Sequence, residues 1–447
     1  MDERAPLPQA ARRLIDRTAD PRDREALEGA HAADIAALLR QLPLPEQAAL
    51  FRLLSRERAG DVLAELDDQN QRELVQALGQ VEASEILEEM PPEHAADVVE
   101  ELPTEDAEKI LDLMAEKQSE EVQELLDYPE QSAGRLMSPD YVAVNERTTA
   151  EGAIEHIRRS VTEDRAFELY VVDDHHHLIG VVPLRRLLTA DPRTPVLEIC
   201  NDQIVSVTTD TDQEDVARTV AKYDLVAVPV VDQRQHLVGT IAVDDVVDIL
   251  GEEATEDIFR IAGSDAAELE RRSPREVALL RLPWVLATLL IELCAGVIIS
   301  YFDRTLSRVI LLASFMPVIQ AISGNTGLQS VTMVVRGLAT GRVVLSRWWE
   351  PLRRQIVTSS ILGAICGALV GAVGSLWHSP PFGLVVGVSM FISVNLSGAA
   401  GTAIPMLSKR LGFDPALTAG PFETAFQDVL GVTIFLSLAT ALLRWLV

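Results

Sequence analysis

Apolar residues in this chain follow two regular spacings before giving way to long apolar runs. Leu42, Leu54, Leu66, Leu78, Met90, Leu102 and Met114 recur every 12 positions, and the first six are each followed by Pro, Ser, Asp or Gly. Three and four residues before them lie apolar pairs such as Leu38-Leu39, Val62-Leu63, Ile86-Leu87, Val98-Val99 and Ile110-Leu111. Each unit predicts a short helix whose single apolar face can be buried only against its neighbours, so residues 25–127 read as a helical superhelix. A second repeat has a period of 59 residues: Tyr170-Val171-Val172-Asp173 matches Pro229-Val230-Val231-Asp232, and Leu178-Ile179-Gly180 matches Leu237-Val238-Gly239. In both copies the order is strand, polar turn, strand and helix. From Glu252 to about Arg272, Ile258, Ile261, Ala262 and Ala266 fall at helical spacing among acids, which predicts an amphipathic connecting helix. Five apolar segments follow, at 282–303, 309–338, 354–376, 382–408 and 420–446. Each reaches the ~20 residues that cross a bilayer as a helix.

Charge divides the chain at the same place. Residues 271–447 carry 14 Lys/Arg and 7 Asp/Glu, a balance of +7, and the whole-chain charge of −29 therefore leaves −36 for residues 1–270. So acidic a soluble part excludes nucleic acid as a partner, because phosphate binding requires the opposite sign. Basic residues cluster at Arg271, Arg272, Arg275 and Arg281 before the first segment, at Arg336, Arg342, Arg347, Arg353 and Arg354 after the second, and at Lys409 and Arg410 after the fourth; the other faces carry only Arg304, Arg308 and Arg444. The positive-inside rule then predicts a cytoplasmic N-terminus and an external C-terminus. Met1 to Arg17 lacks the apolar run of a signal peptide. Cys200, Cys294 and Cys366 are too scattered for a disulfide framework or a thiolate metal site.

Polar residues inside the apolar segments carry the chemistry. Met316-Pro317 and Gly324-Asn325-Thr326-Gly327-Leu328-Gln329 interrupt the second segment. Interrupted helices are tolerated at membrane depth only when buried in protein or lining a watery path, so a broken helix along a transport route is expected here. Asp428 in the fifth segment is costly against lipid and should face the bundle interior or that path. Glu292 stands alone in the first segment, and its apolar neighbours assign it no role. His175-His176-His177 lies in a polar turn and reads as a solvated loop, since three adjacent side chains do not converge on one ion.

The 59-residue repeat resembles a tandem pair of cystathionine-β-synthase-type (CBS) domains, regulatory modules of which many bind adenosine nucleotides. With the acidic 12-residue repeats, the connecting helix and the five apolar segments, the whole order resembles an MgtE-type magnesium transporter over nearly the full length. Pro317, Gly324-Asn325-Thr326-Gly327, Gln329, Asp414-Pro415-Ala416 and Asp428 match its motifs, whereas Glu423 and Ala425 depart from them. The resemblance implies a multidomain membrane protein: an all-α superhelical N domain (1–127), two α/β CBS domains (128–195 and 196–250), a plug-type connecting helix (251–280) and a transmembrane domain of five α-helices (281–447). It implies Asp428 as the pore aspartate that holds Mg2+, with Asn325, Gly324 and Gly327 beside it. It also carries cytoplasmic Mg2+ positions to Asp61, Glu93 and Asp97 in the helical repeats, to Asp212, Glu214, Asp224 and Asp245 in the second CBS domain with Ala221 as a carbonyl ligand, to Glu253, Glu256 and Asp257 on the connecting helix, and to Asp414 at the membrane edge.

Magnesium dehydrates reluctantly and is held with retained waters and one or two carboxylates, so one Asp428 from each subunit of a homodimer suffices. The expected protein is a magnesium-selective channel-like transporter, not an enzyme, in a bacterial inner membrane and closed by cytoplasmic Mg2+. No Gly-x-x-x-x-Gly-Lys-Ser/Thr loop is present, so ATP, if bound to the CBS pair, regulates. Two rivals stay open: a CBS-regulated transporter of another divalent cation such as Co2+, and a membrane-anchored nucleotide sensor. Proton coupling is also open.

Overall fold

Short helices in the N-terminal region begin at a fixed interval. In the computed structural model, which describes residues 7–16, 21–160, 168–264, 274–416 and 420–442, eight consecutive helices from Ala32–Leu39 to Glu116–Leu126 start after His31, Pro43, Ser55, Asp67, Gly79, Pro91, Pro103 and Ala115. The turn-forming residues of the 12-residue repeat are thus helix caps. Ser55 accepts a hydrogen bond from the Arg58 amide at 3.4 Å and Asp67 from the Asn70 amide at 3.1 Å, which satisfies donors that a helix start leaves open. Leu39, Leu63, Leu87 and Val99, each from an apolar pair, are buried in a common core.

Two three-stranded sheets follow, with the same topology. In the first, β1 (Ala143–Asn145) runs parallel to β2 (Glu168–Val172), which pairs antiparallel with β3 (Leu178–Pro183). In the second, β4 (Val207–Thr208), β5 (Ala227–Val231) and β6 (Leu237–Ala242) repeat the pattern. The register Tyr170↔Val181 recurs as Pro229↔Thr240, so the 59-residue repeat is a structural one.

The turn at His175–His177 is more than a solvated loop. Asp173 accepts hydrogen bonds from the His175 and His177 amides at 2.8 and 2.9 Å, and its second oxygen lies 2.9 Å from His177 Nδ1. These bonds, the ring nitrogen first, hold the Asp173 carboxyl down at about 2. Asp232 and His236 repeat the pairing at 2.8 Å, and the two imidazoles stack with centroids 4.8 Å apart. The repeat juxtaposes the rings, which is why His177 does not simply face water.

The chain divides into two compact units, Met1–Leu250 and Gly251–Val447. Helix α1 (Val243–Ala262) ends at Gly263, whose φ of +73° lets the Gly263 and Ser264 amides turn back onto the Arg260 and Phe259 carbonyls at 3.0 and 2.9 Å. Ile261 is packed, but Ile258 is exposed, contrary to the expected stripe. Ala266, Arg271, Arg272 and Arg444, like Met1 to Pro6 and Arg17, lie outside the described residues.

Five long helices follow: α2 (Pro274–Tyr301), α3 (Leu312–Ala339), α4 (Trp349–Trp377), α5 (Pro380–Leu411) and α6 (Pro421–Ala441). By length and composition α2, α4 and α5 are able to cross a membrane, and α6 adds the shorter apolar stretch Ala425–Ala441. Phe315 and Ile319 of α3 share a core with Phe382, Val386 and Met390 of α5 and Phe435 and Leu436 of α6.

The expected break in the second apolar segment is absent, because α3 continues through Gly324 to Gln329. Its polar side chains bond back onto their own helix, Thr326 to the Ile322 carbonyl at 2.9 Å and Ser330 to the Thr326 carbonyl at 2.7 Å. Its glycine serves close approach: a Cβ on Gly327 would overlap the Gln427 amide, and one on Gly401 would lie 2.5 Å from the Gly327 carbonyl oxygen. Small residues let apolar helices pack backbone to backbone where hydrophobicity alone supplies no preference.

Candidate ion path and cation-sensing acids

The packing of α3 against α5 and α6 fixes the residue before Asp428. Gln427 is buried against Gly327, and its side-chain oxygen accepts from the Ser397 hydroxyl, which also lies on the Ser323 carbonyl. The next residue, Asp428, is half-buried, and the Glu292 carboxyl of α2 reaches it within hydrogen-bonding range. Glu423, earlier on α6, is fully buried and interacts electrostatically with Asp428; among the described residues neither of its oxygens has a hydrogen-bond partner. The α6 carboxyls of Asp428 and Glu423 are thus half and fully buried in the apolar bundle, while Glu292, exposed on α2, meets Asp428. Asn325 and Gln329, four residues apart, share an exposed face of α3, while Gly324 is partly and Gly327 fully buried.

Sequence reading missed Gln427, Ser397 and the role of Glu292. Gln427 carried no signal beyond its place beside Asp428. For Glu292 the signal was an acid in an apolar segment, but its partner came from a helix more than a hundred residues away.

In the first unit the structure brings Glu93, Asp97 and Asp245 together. Helix Pro92–Glu100 presents Glu93, which is buried and lines a cavity with Asp140, Glu168, Asp244 and Asp245, beside Tyr170 and Thr240. Asp97 lies one turn on from Glu93. Part of its side chain reaches solvent, but packed neighbours strip water from the rest. That burial first, then Glu100, Asp68 and Asp245, push its carboxyl up to about 6 against the opposing pull of Arg135 at 3.1 Å.

The other expected positions fall at several places along the two units. Asp61 is exposed and paired with Arg58 at 3.3 Å. Asp212 caps helix Gln213–Tyr223 by accepting from the Glu214 amide at 2.9 Å, Glu214 meets Arg218 at 3.0 Å, Ala221 is exposed, and Asp224 closes the helix at a φ of 52°. In the second unit Glu253, Glu256 and Asp257 lie along α1. Arg260 joins Glu256 to Asp414 through its two terminal nitrogens.

Among the described residues no three His, Cys, Asp or Glu side chains converge closely enough to hold an ion unaided. The donor chemistry nonetheless suits magnesium, which keeps several waters and needs few protein carboxylates.

An acidic helical domain, a CBS pair and carboxyls inside an apolar bundle define a class: membrane transport proteins for divalent cations. The family models agree, with "Divalent cation transporter" matching residues 316–438, "MgtE intracellular N domain" 30–131, and "CBS domain" 133–193 and 196–252. A magnesium transporter MgtE of Thermus thermophilus is 38% identical over 94% of this chain and 95% of its own length. One of Bacillus subtilis is 32% identical over 94% of each. Among solved structures, the cytosolic domain of the Mg2+ channel MgtE in complex with ATP is 38% identical with a TM-score of 0.52, covering 54% of this chain and 99% of that one. The soluble part of a magnesium transporter is 28% identical with a TM-score of 0.50, over 56% and 96%. The chain belongs to the MgtE family of magnesium transporters, a family of membrane transporters and not of enzymes.

Proposed function

We propose that this chain mediates Mg2+ uptake as a magnesium-selective, channel-like transporter, and that cytoplasmic Mg2+ closes it. The carrying observation is Asp428, half-buried in the bundle next to a clamped Gln427 and within reach of Glu292. A carboxylate at that depth costs on the order of 2.5–3.5 kcal/mol, so it is retained where it attracts a cation.

Asn325 and Gln329 support a homodimer, since an exposed polar face on an apolar helix is satisfied by a second copy about a two-fold axis. Each copy then offers one Asp428 to a substrate ion that keeps its inner waters, and Gly324 and Gly327 keep α3 close enough to present Asn325. Selection follows from the size and charge of the hydrated ion. Residues 281–447 form the five-helix pore, 251–280 the plug-type helix, 128–195 and 196–250 the CBS domains, and 1–127 the acidic sensor. The protein resides in a bacterial inner membrane with the N-terminus cytoplasmic and the C-terminus external.

Glu93, Asp97 and Asp245 would hold regulatory Mg2+ in the first unit, with Asp61, Asp212, Glu214, Ala221 and Asp224 at separate positions. Glu253, Glu256, Asp257 and Asp414 would do so in the second. Ions that prefer the closed arrangement shift the equilibrium by the ratio of their affinities for the two states. ATP is a regulatory ligand of the CBS pair, and it binds away from the acid-lined cavity of Glu93, Asp140, Glu168, Asp244 and Asp245, whose charge repels a triphosphate.

Uptake into proteoliposomes tests the reading. Asp428→Asn should abolish Mg2+ flux at matched protein density while leaving folding intact, and wild-type flux in that variant rules out the pore. Removing residues 1–127 should give uptake that high cytoplasmic-side Mg2+ no longer stops; unchanged inhibition rules out the sensor.

A further inference from the structure

The end of the connecting helix is seated on the membrane bundle by three contacts. Ile261 packs against Val331 and Val335 of α3 and Ala416, which precedes α6. The Arg260 and Ile261 carbonyls approach Gly420 so closely that a Cβ there would lie 2.8 and 2.9 Å from their oxygens. The third contact is electrostatic: Arg260 donates to Asp414, 154 residues away in sequence, while its other terminal nitrogen meets Glu256. An i,i+4 pair with Glu256 alone would be a helix-surface contact worth a few tenths of a kcal/mol. Reaching Asp414 makes it a tertiary link.

Glu256 and Asp414 are two of the acids proposed above to hold regulatory Mg2+, so this inference rests on that reading. We propose that Arg260 is a built-in cation at that site: its guanidinium holds the connecting helix docked when magnesium is absent, and Mg2+ replaces it when the ion is abundant. The charge balance gives the direction. One guanidinium neutralises one of two carboxylates, whereas a divalent ion neutralises both, so docking is partial without magnesium and tighter with it. The pair is about one-third exposed on each side, which makes it weak enough to exchange. Its planar fork spans two separate acids, a geometry that lysine's point charge reproduces poorly. Arg260 thus sets the closed fraction that remains at low magnesium.

The test uses the full chain in nanodiscs, with hydrogen exchange of residues 251–264 read in EDTA and in Mg2+, alongside flux in proteoliposomes. With EDTA around the nanodiscs, or on the cytoplasmic face alone of liposomes supplied with Mg2+ from the other face, Arg260→Gln should raise exchange and flux respectively by about two- to fivefold, the effect of losing one pair about one-third exposed on each side, and cytoplasmic-side Mg2+ should restore both to wild-type values. Arg260→Lys should fall between wild type and Arg260→Gln, and adding Asp414→Asn to Arg260→Gln should cause no further loss in EDTA. Wild-type exchange for Arg260→Gln in EDTA overturns the proposal, as does fast exchange that Mg2+ fails to restore while Arg260→Lys behaves as wild type. Wild-type flux that ignores cytoplasmic-side Mg2+ would instead defeat the sensor reading, and the EDTA comparison would still decide the role of Arg260.

Discussion

In the unit Met1–Leu250, Asp61, Asp97 and Glu214 each have an arginine within 3.3 Å. In the apolar bundle, Asp428 has another carboxyl, Glu292, as its neighbour, and Glu423 has no hydrogen-bond partner among the described residues. The chain contains enough arginine for both regions, so the difference concerns placement. Partly solvated pairs such as Asp61 with Arg58 and Glu214 with Arg218 are worth about 0–1 kcal/mol and exchange readily with a competing cation, whereas Arg135 beside Asp97 is itself buried. Buried carboxyls without a basic partner carry an uncompensated cost, which persists where the charge serves a function. The first arrangement suits sensing and the second suits attraction of an ion.

The comparison breaks most sharply at Gly327, where the bundle depends on backbone contact. Gly327→Leu should displace Gln427 and the adjoining stretch of α6, lowering Mg2+ uptake by more than about tenfold and stability by roughly 1–3 kcal/mol. Gly296→Ala is the control, because nothing lies within 4 Å of a Cβ there and alanine favours the helix. Thermal melting and uptake of both variants decide it: full uptake by Gly327→Leu would mean the close contact does not position Asp428.

What the sequence made legible follows its periodicities. The period of 12 located the caps Ser55 and Asp67, and the period of 59 located paired hairpins, because local hydrogen bonding and side-chain alternation dictate both. Arg58, Arg218 and Arg260 lie three or four residues from Asp61, Glu214 and Glu256, so those pairs are readable from helix spacing. Arg135 with Asp97 and Arg260 with Asp414 are tertiary contacts that no local pattern encodes. The glycines of α3 misled the reading for a related reason. Helix-breaking glycine and helix-packing glycine look alike until the facing residue, here Gln427, is known.

A smaller effect is expected at Glu423, the acid that departs from the family pattern. Replacing it with methionine removes a buried carboxyl that has no hydrogen-bond partner among the described residues, at similar volume, and should raise the melting temperature by a few degrees. Flux should fall several-fold, since the negative potential around Asp428 weakens; stability gained at the expense of activity is the usual pattern at functional sites. An unchanged melting temperature would mean that Glu423 is compensated in the assembled protein, and the contrast between the two regions would narrow to Asp428 alone.

Asp97 carries the smallest effect and tests the other side of the comparison. Its carboxyl titrates at about 6 in the folded protein against 3.8 ordinarily, so burial outweighs the attraction of Arg135. Between those values the folded chain holds a proton that the unfolded chain has released. Stability therefore declines as pH rises from about 4 to about 6, the reverse of an acid whose arginine dominates. Asp97→Asn should flatten that decline without orphaning Arg135, which keeps Glu100 at 2.7 Å. The check is thermal unfolding of the full chain in EDTA at steps between pH 4.5 and 7. The variant should gain a degree or two relative to wild type toward the upper end and nothing at the lower. Parallel curves across the range would show that Arg135 already balances Asp97, leaving this acid no different from the exposed Asp61 and the half-buried Glu214, each beside its arginine.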